Sequence, residues 1–328
     1  MQDIADHLGL SVSTVSLALR SAPQIAEDTR QRVRETADRL GYTHRPRHIV
    51  PATLKHIVFM TYTAPDNEFY GAVLTGAERE CRRYNMALRY QQIETSISSF
   101  TARQNQIEGV LIVGNVDERT IEQLCTSGRV HVLVDNNPSS LEIDRIVIKN
   151  RKSVHAAITY LHQLGHQRIA YLSGPLTHSS FRERQQGYYA AINELGLEPF
   201  EIPCSTLDAH DITRAVSRHL VPGAAVPFTA IMACNDLAAL SIQYSLQEQG
   251  IRVPDQVAII GFDDIDVASV VRPSLTTCHV DRELLGMLAV RRLIERVSEP
   301  EKPMVTVAIA TTLIQRGSTN APRSGAIS

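Results

Sequence analysis

The stretch DIADHLGLSVSTVSLAL, residues 3–19, decides the organisation of the amino-terminal part of the chain. Ala5 is small, Gly9 follows four residues later, and the β-branched Val15 follows six residues after that. Two helices that cross over a tight turn require such residues: room at the crossing, a backbone that tolerates positive φ, and an apolar anchor. The spacing predicts a helix-turn-helix, and another kind of small helical bundle is the alternative on these positions alone.

Working outward, a serine at position 11 or 13 can cap the second helix. A third helix is predicted over about 29–40, with its core stripe at Val33, Ala37 and Leu40. Residues 1–56 hold eight Lys and Arg against six acidic residues, and all the acids precede residue 39. The basic stretch that follows is compatible with nucleic-acid binding, although most charge runs are solvated surface.

A linker is predicted over 44–56, because Pro46 and Pro51 interrupt any helix there. Beyond it, short apolar runs alternate with amphipathic segments, which indicates βαβ units and parallel sheets. The clear runs lie at 57–61, 110–113, 130–134, 169–172, 230–233 and 257–260. Together with weaker runs they exceed what one sheet uses, so we expect two α/β lobes that face each other across a cleft. The fold class is an all-α head joined to a two-lobed α/β core.

Composition excludes several classes of protein. The chain has 328 residues, of which 43% are hydrophobic and 21% charged, as in ordinary globular proteins. No apolar run is long enough to span a bilayer and no signal peptide is evident, so we expect a cytoplasmic protein. The five cysteines are odd in number and scattered, which indicates neither a disulfide framework nor a zinc site. We expect no metal and no cofactor.

Polar residues follow several of the apolar runs, at 135–137, 149–150, 235–236 and 263–264. In parallel sheets the ligand binds beyond the carboxyl ends of the strands, so these side chains suit a small polar ligand. For any single one of these acidic residues, the alternative to ligand binding is a structural role as a helix cap or in an Asx-turn. Hydrolase, nucleotide-binding and metalloprotease motifs are missing from the sequence. The pattern of polar residues favours a binding protein over an enzyme. The alternative is a fused α/β enzyme that acts on a sugar or nucleotide, and it would need catalytic residues that the sequence does not show.

The chain resembles the lactose-repressor/galactose-repressor (LacI/GalR) family of bacterial transcription regulators over about residues 2–317. In the head the resemblance rests on Asp3-Ile4-Ala5, Gly9 to Ser16, Asp28 to Val33 and Leu40-Gly41-Tyr42. In the body it rests on Phe69-Tyr70, Asp135-Asn136, Leu164-Gly165-His166, Arg184 with Gly187, Asn235-Asp236, Gly261 to Asp264 and Pro273 to Thr277.

The resemblance implies a helix-turn-helix head, a hinge and a core like a periplasmic binding protein. We expect the head at 1–43, the hinge at 44–56, the core at 57–317 and a tail at 318–328. One lobe would comprise about 57–150 and 280–300, and the other 151–279 and 301–317. Such regulators are homodimers that bind double-stranded operator DNA, usually as repressors under the control of a small-molecule effector. A regulator that has lost effector control is a further alternative.

The resemblance implies a recognition helix at 13–20 and further DNA-binding residues beside it. The base-reading places are Val12, Ser13 and Leu17. Phosphate contacts are expected from Thr14, Ser16, Thr29 and Arg30, with Arg20 near the backbone. Leu17 departs from the family pattern, because that place more often holds a side chain that hydrogen-bonds a base; it could touch a thymine methyl but could not read guanine. In the hinge, Ile49 or Val50 could wedge into the minor groove, but Pro51 favours an extended linker without a wedge.

The effector site implied by the resemblance comprises Phe69, Tyr70, Asp135, Lys149, Arg184, Asn235 and Asp263. Arg184, Asp263 and Asn235 fit a sugar or polyol. Lys149 is the anomaly, because several relatives have Asp there. Two cations beside one buried ligand repel each other unless an anion lies between them, so we hypothesise a sugar acid or sugar phosphate. The alternative is that Lys149 turns outward or pairs with an acid such as Asp135.

Overall fold

The structure is a computed structural model that describes residues 2–19, 25–40, 54–64, 66–93, 108–221 and 224–322, apart from the side chains of Ser16, Leu19, Arg34 and Asp38. It divides into two compact units, residues 1–49 and 50–328. Among the described residues, no helix is both long enough and apolar enough to cross a membrane.

The first unit contains three helices: α1 (Gln2–Leu8), α2 (Val12–Leu19) and α3 (Glu27–Arg39). They enclose a small core of Ile4, Ala5, Val15, Ala18, Val33 and Ala37. Gly9 has a φ of +64°, which permits the turn between α1 and α2. Ser11 caps α2, since its Oγ accepts a hydrogen bond of 3.0 Å from the backbone N–H of Thr14. These features are those that the sequence of residues 3–19 predicts.

Leu40 differs from the prediction. It was placed in the core stripe of the third helix, but its side chain is 47% exposed. The helix ends at Arg39, so Leu40 lies just beyond the last helical residue, and Thr36 completes the buried face with Val33 and Ala37. An apolar residue at helical spacing is buried only where the neighbouring helices reach it.

The second unit contains two six-stranded sheets. The first has the order β11-β5-β4-β3-β1-β2 and is parallel throughout. Its strands are β1 (His56–Thr61), β2 (Ala87–Gln92), β3 (Gly109–Val113), β4 (Val130–Val134), β5 (Arg145–Ile148) and β11 (Thr306–Ile309). The second has the order β12-β10-β9-β8-β6-β7 and is parallel except where β12 meets β10. Its strands are β6 (Ile169–Ser173), β7 (Phe200–Pro203), β8 (Ala230–Ala233), β9 (Ala258–Asp263), β10 (Thr276–His279) and β12 (Thr312–Ile314).

Helices flank both sheets. In the part of the core that the structure describes they are, in chain order, α4 (Glu68–Arg83), α5 (Glu118–Cys125), α6 (Asn150–Gln163), α7 (Ser179–Glu194), α8 (Ala209–Ser217), α9 (Asp236–Glu248), α10 (Asp266–Val270) and α11 (Arg282–Ser298). The first sheet with α4, α5 and α11 forms the first lobe; the second sheet with α6 to α10 forms the second lobe. Strands such as β3 and β6 are buried along their whole length, as expected for parallel strands covered on both faces.

The predicted lobe boundary near the carboxyl end is wrong in one segment. Residues 301–317 were assigned to the second lobe, but β11 pairs with β5 and therefore belongs to the first. The buried carboxylate of Asp144 fixes this segment: it accepts hydrogen bonds of 2.7 Å from Arg292 and Arg296 and one of 2.9 Å from the backbone of Val305. Arg292 and Arg296 lie on α11, so one aspartate ties α11 and the approach to β11 to the first lobe.

The predicted tail begins too early. Ser318 is fully buried: its Oγ donates 2.7 Å to the carbonyl of Ile259 and accepts 2.8 Å from the backbone of Thr276. The carbonyl of Asn320 lies 2.9 Å from Nε2 of His166. A run of small polar residues resembles a tail in sequence, but here its side chains and backbone bond to the second sheet. Residues 323–328 lie outside the described part of the chain.

Candidate functional site

A cavity of about 490 Å³ lies between the two lobes, at the carboxyl ends of the strands. The first lobe lines it with Tyr62, Thr63, Asn67, Glu68, Phe69, Tyr70, Asn115 and Asp135. The second lobe lines it with His178, Ser180, Phe181, Arg184, Leu207, Asn235, Leu237, Asp263 and Ile265. The volume and the mixture of aromatic and polar groups suit one small ligand.

Six of the seven residues predicted to bind an effector line this cavity: Phe69, Tyr70, Asp135, Arg184, Asn235 and Asp263. Lys149 does not. Its side chain is exposed at the start of α6, beside a separate surface cavity, and its backbone N–H donates to the carbonyl of Ile309. The prediction that Lys149 faces the ligand is therefore corrected: Lys149 lies beyond the end of β5 with its side chain exposed, and the next residue, Asn150, is buried at the start of α6 and contacts Arg184.

Arg184 is held rigidly from several sides. Its side chain is 3% exposed, and Nε donates a hydrogen bond of 2.9 Å to Oδ1 of Asn150. Nη1 donates 2.5 Å to the carbonyl of Cys234, and Nη2 lies 3.4 Å from Oδ1 of Asp263. The guanidinium carbon lies 3.6 Å from the ring centroid of Phe262. The cation is thus oriented and partly neutralised by the protein itself.

Asp263 lies at the end of β9 with a φ of +118°, a conformation that L-residues seldom adopt. Burial raises the pKa of its carboxyl to about 8, although the guanidinium of Arg184 opposes that shift. The carboxyl lines the cavity beside the guanidinium of Arg184 and can accept a hydrogen bond from a ligand.

A hydrogen-bonded cluster joins the two lobes at the cavity wall. Asp135 of the first lobe accepts 2.9 Å from the hydroxyl of Tyr70 and 2.6 Å from the hydroxyl of Ser180, which begins α7 of the second lobe. Nδ1 of His178 accepts from the backbone N–H of Ser180, so the ring proton is on Nε2, 3.3 Å from the Tyr70 hydroxyl. Burial lowers the pKa of His178, so the ring is neutral at pH 7.

Neither His178 nor Ser180 was predicted. Strand β6 ends at Ser173, and these two residues follow it after a short loop rather than directly. Asp135 is predicted because it directly follows a strand. The same inspection would include His178 and Ser180 if it extended from the end of each strand to the start of the next helix.

Asn235 both caps a helix and lines the cavity. Its Oδ1 accepts 2.9 Å from the backbone N–H of Ala238 at the start of α9, which leaves the amide nitrogen available to a ligand. Its neighbour Asp236 has a structural role only: its carboxylate accepts from the hydroxyl of Thr277 and the backbone of Ile265, and burial raises its pKa to about 6. The helix-cap alternative therefore does not hold for Asp236, because Asn235 is the residue that caps α9.

In the head, the predicted base-reading residues lie on α2, away from the core contributed by Val15 and Ala18. Val12 and Ser13 are exposed, and Leu17 is half-buried. Of the predicted phosphate contacts, Thr14 and Thr29 are half-buried, and Arg30 forms an ion pair of 3.0 Å with Glu27 while its Nε donates to the carbonyl of Ile25. The predictions for Arg20, Ile49, Val50 and the Ser16 side chain lie outside the described residues.

A helix-turn-helix head and a two-lobed α/β core with a ligand-sized cleft define a class of proteins: DNA-binding regulators built on a periplasmic-binding-protein-like core. Residues 1–44 match the family model of bacterial regulatory proteins of the lacI family, and residues 158–319 match a periplasmic binding protein-like domain. The head is therefore similar to the DNA-binding domain of the lacI family, and the core is similar to a periplasmic binding protein-like domain.

Relatives of similar length support this assignment. The chain is 27% identical to an HTH-type transcriptional repressor PurR of Vibrio atlanticus, over 96% of this chain and 97% of the relative. It is 29% identical to the ribose operon repressor of Escherichia coli, over 97% and 99% of the two chains.

Solved structures share the fold. A Lac repressor bound to ONPG superposes with a TM-score of 0.72 at 22% identity, over 97% of this chain and 98% of the other. A LacI family regulator from Enterococcus faecium with bound ribose gives 0.73 at 23% identity, over 82% and 100%.

Proposed function

We propose that the chain is a repressor whose homodimer binds operator DNA and whose operator affinity is controlled by a neutral carbohydrate bound between the lobes. The observation that carries the proposal is the cavity itself, which takes its lining from both lobes. A ligand that contacts both walls stabilises one relative arrangement of the lobes, and that differential binding is what an effector requires.

The polar groups of the cavity suit hydroxyl groups. Asp135 and Asp263 offer carboxyl oxygens, Asn235 an amide nitrogen, and Arg184 guanidinium donors. The rings of Phe69 and Tyr62 supply apolar surface of the kind on which a sugar ring packs. Alternating donors and acceptors beside aromatic faces are the chemistry expected of a polyol or sugar site.

The charge of the cavity argues against an anionic effector. Among the described residues that line it, Arg184 is the only Lys or Arg, and Asp263 already lies beside it. Asp135 and Glu68 add further acidic groups. The hypothesis of an anionic effector requires a second cation, Lys149, in the cleft beside Arg184. Lys149 lies outside the cleft. A neutral sugar replaces that hypothesis.

The relatives agree with the direction of the proposal. The two relatives compared above are named as repressors, and the solved structure from Enterococcus faecium holds ribose. We infer repression by this chain from the names of its relatives. We infer a carbohydrate effector from the sugar bound in the solved structure together with the lining of the cavity.

The test is calorimetric titration of the full chain with neutral pentoses, hexoses and disaccharides, each beside its acid or phosphate. We expect a neutral sugar to bind more tightly than its charged partner, and the Lys149→Ala variant to bind it with unchanged affinity. Arg184→Gln should lose binding. A preference for the anion that disappears in Lys149→Ala would contradict the proposal; no binding to any sugar, with intact operator binding, would support a regulator without effector control.

A further inference from the structure

Helix α2 has an unusual composition for the second helix of a helix-turn-helix. Its eight residues, VSTVSLAL, include no charged side chain and no amide. The second helix of this motif lies in the major groove and contacts base edges. The side chains that read guanine or adenine bidentately are Arg, Lys, Asn and Gln. None of these is present in α2, so its base contacts can come only from hydroxyl and alkyl groups.

The hydroxyl groups at the start of α2 are already engaged with one another. Ser11 Oγ lies 2.7 Å from Ser13 Oγ and 2.8 Å from Thr14 Oγ1, and it also accepts from the backbone of Thr14. A hydroxyl held in a helix cap is less available to a base edge, and serine or threonine distinguishes bases weakly in any case. The hydroxyls therefore provide little selectivity.

Among the described side chains of α2, two alkyl groups lie outside the buried core of the head. Val12 is 37% exposed, and Leu17 is half-buried and stands outside the buried set that contains Val15 and Ala18. The apolar group that a base pair presents in the major groove is the 5-methyl group of thymine. On a helix that faces the groove, the exposed Val12 and the half-buried Leu17 have this methyl group as their natural partner.

We propose that this regulator reads its operator chiefly through contacts of Val12 and Leu17 with thymine methyl groups, rather than through hydrogen bonds to guanine. The inference rests on the proposed function, because it requires that the head bind DNA. It specifies the chemistry of the partner: a half-site with thymines beneath α2, whose discrimination depends on their methyl groups.

The experiment begins by enriching duplexes from a random pool with the full chain. Each thymine of the enriched sequence is then replaced singly by uracil, which removes the methyl group and keeps the base pair. We expect one or two thymines per half-site at which the replacement weakens binding about fourfold, the value of one buried methyl group.

Variants assign those methyl groups to residues. The Leu17→Ala or Val12→Ala variant should bind two duplexes with equal affinity when they differ only by thymine or uracil at the position that the residue contacts. The variant lacks the alkyl group that the methyl group would touch, so removing the methyl group costs nothing more. Leu40→Ala, which shortens an exposed apolar side chain outside α2, is the matched control and should keep the fourfold difference. Thermal unfolding of each variant checks that the head is folded.

The outcomes separate the two proposals. Enriched sequences whose affinity is unchanged by uracil at every position would overturn this inference and leave DNA binding intact. A thymine effect that persists at full size in both α2 variants would overturn it as well. If no sequence is enriched and no duplex is bound, the proposed function fails, and the inference fails with it.

Discussion

Ser180 of the second lobe donates a hydrogen bond of 2.6 Å to Asp135 of the first lobe, so a carboxylate predicted to bind the effector joins the two lobes directly. Tyr70 donates to the other oxygen of the same carboxylate. Effector binding and the contact between the lobes therefore involve the same carboxylate.

Ser180→Ala should weaken effector binding by about tenfold. The substitution removes a hydrogen bond to a charged group that holds the lobes together, a contribution of about 1.5 kcal/mol. Calorimetric titration with the neutral sugar that binds most tightly in the screen described above measures this loss of affinity. Ser241→Ala is the control, because that hydroxyl donates only within its own helix, to the carbonyl of Leu237. Equal affinities for the two variants would remove the role assigned to Ser180.

The raised pKa of Asp263 predicts a pH dependence of stability. Its ordinary value is 3.8 and its value in the fold is about 8, so between these pH values the folded chain binds more protons than the unfolded chain. The free energy of unfolding contributed by this group therefore falls as the pH rises from about 4 to 8. Denaturant unfolding at a series of pH values should show a shallower decline in Asp263→Asn. Asp236, whose pKa is raised to about 6, contributes in the same direction and remains in that variant. Parallel pH curves for the two proteins would contradict the assignment.

Asp144→Ala should destabilise the core by about 3–5 kcal/mol, because it leaves Arg292 and Arg296 buried without their shared acid. Burial opposes ionisation of Asp144, but hydrogen bonds from Arg296, Val305 and Arg292 outweigh it and lower its pKa. Urea unfolding measures the loss. Glu142→Ala, an exposed acid two residues earlier, should change the free energy of unfolding very little. A comparable loss in the two variants would show that the buried cluster is not the cause.

Arg30→Ala should weaken binding to operator and to random duplex by similar factors and reduce the slope of log affinity against log salt by about 0.9, the value of one phosphate contact. Arg30 is paired with the exposed Glu27, so Glu27→Ala should release the guanidinium and strengthen binding to both duplexes. Fluorescence anisotropy at several salt concentrations measures both effects. An unaltered salt slope in Arg30→Ala would exclude the phosphate contact.

The sequence predicts much of this structure because parallel strands carry a strong local signal. Runs such as 230–233 and 257–260 are continuous and apolar, and the polar residues that follow them, at 235–236 and 263–264, indicate the cleft. Six cavity residues were found in this way or through the family resemblance. Ser11 and Gly9 likewise determine a local cap and a local turn, which require no knowledge of distant contacts.

The features that the sequence does not predict depend on distant partners. Lys149 and Asn150 are adjacent, and only the path of the chain beyond β5 decides which of them meets Arg184. The edge strand β11 is assigned to a lobe by its pairing with β5, which lies far away in sequence. Nothing in the sequence distinguishes Asp144 from the other acidic residues, because its partners Arg292 and Arg296 lie on the distant helix α11. Such pairings require the tertiary fold.

The most direct test of the central claim is the affinity of the full chain for its enriched operator duplex, measured by anisotropy with and without saturating neutral sugar. The account predicts a change between about fivefold and 150-fold, the usual range of coupling between two sites. It predicts the same change in Lys149→Ala and none in Arg184→Gln, whose operator affinity without sugar should equal that of the unaltered chain. An operator affinity that no carbohydrate alters, at concentrations where calorimetry shows the cavity to be occupied, would contradict the account.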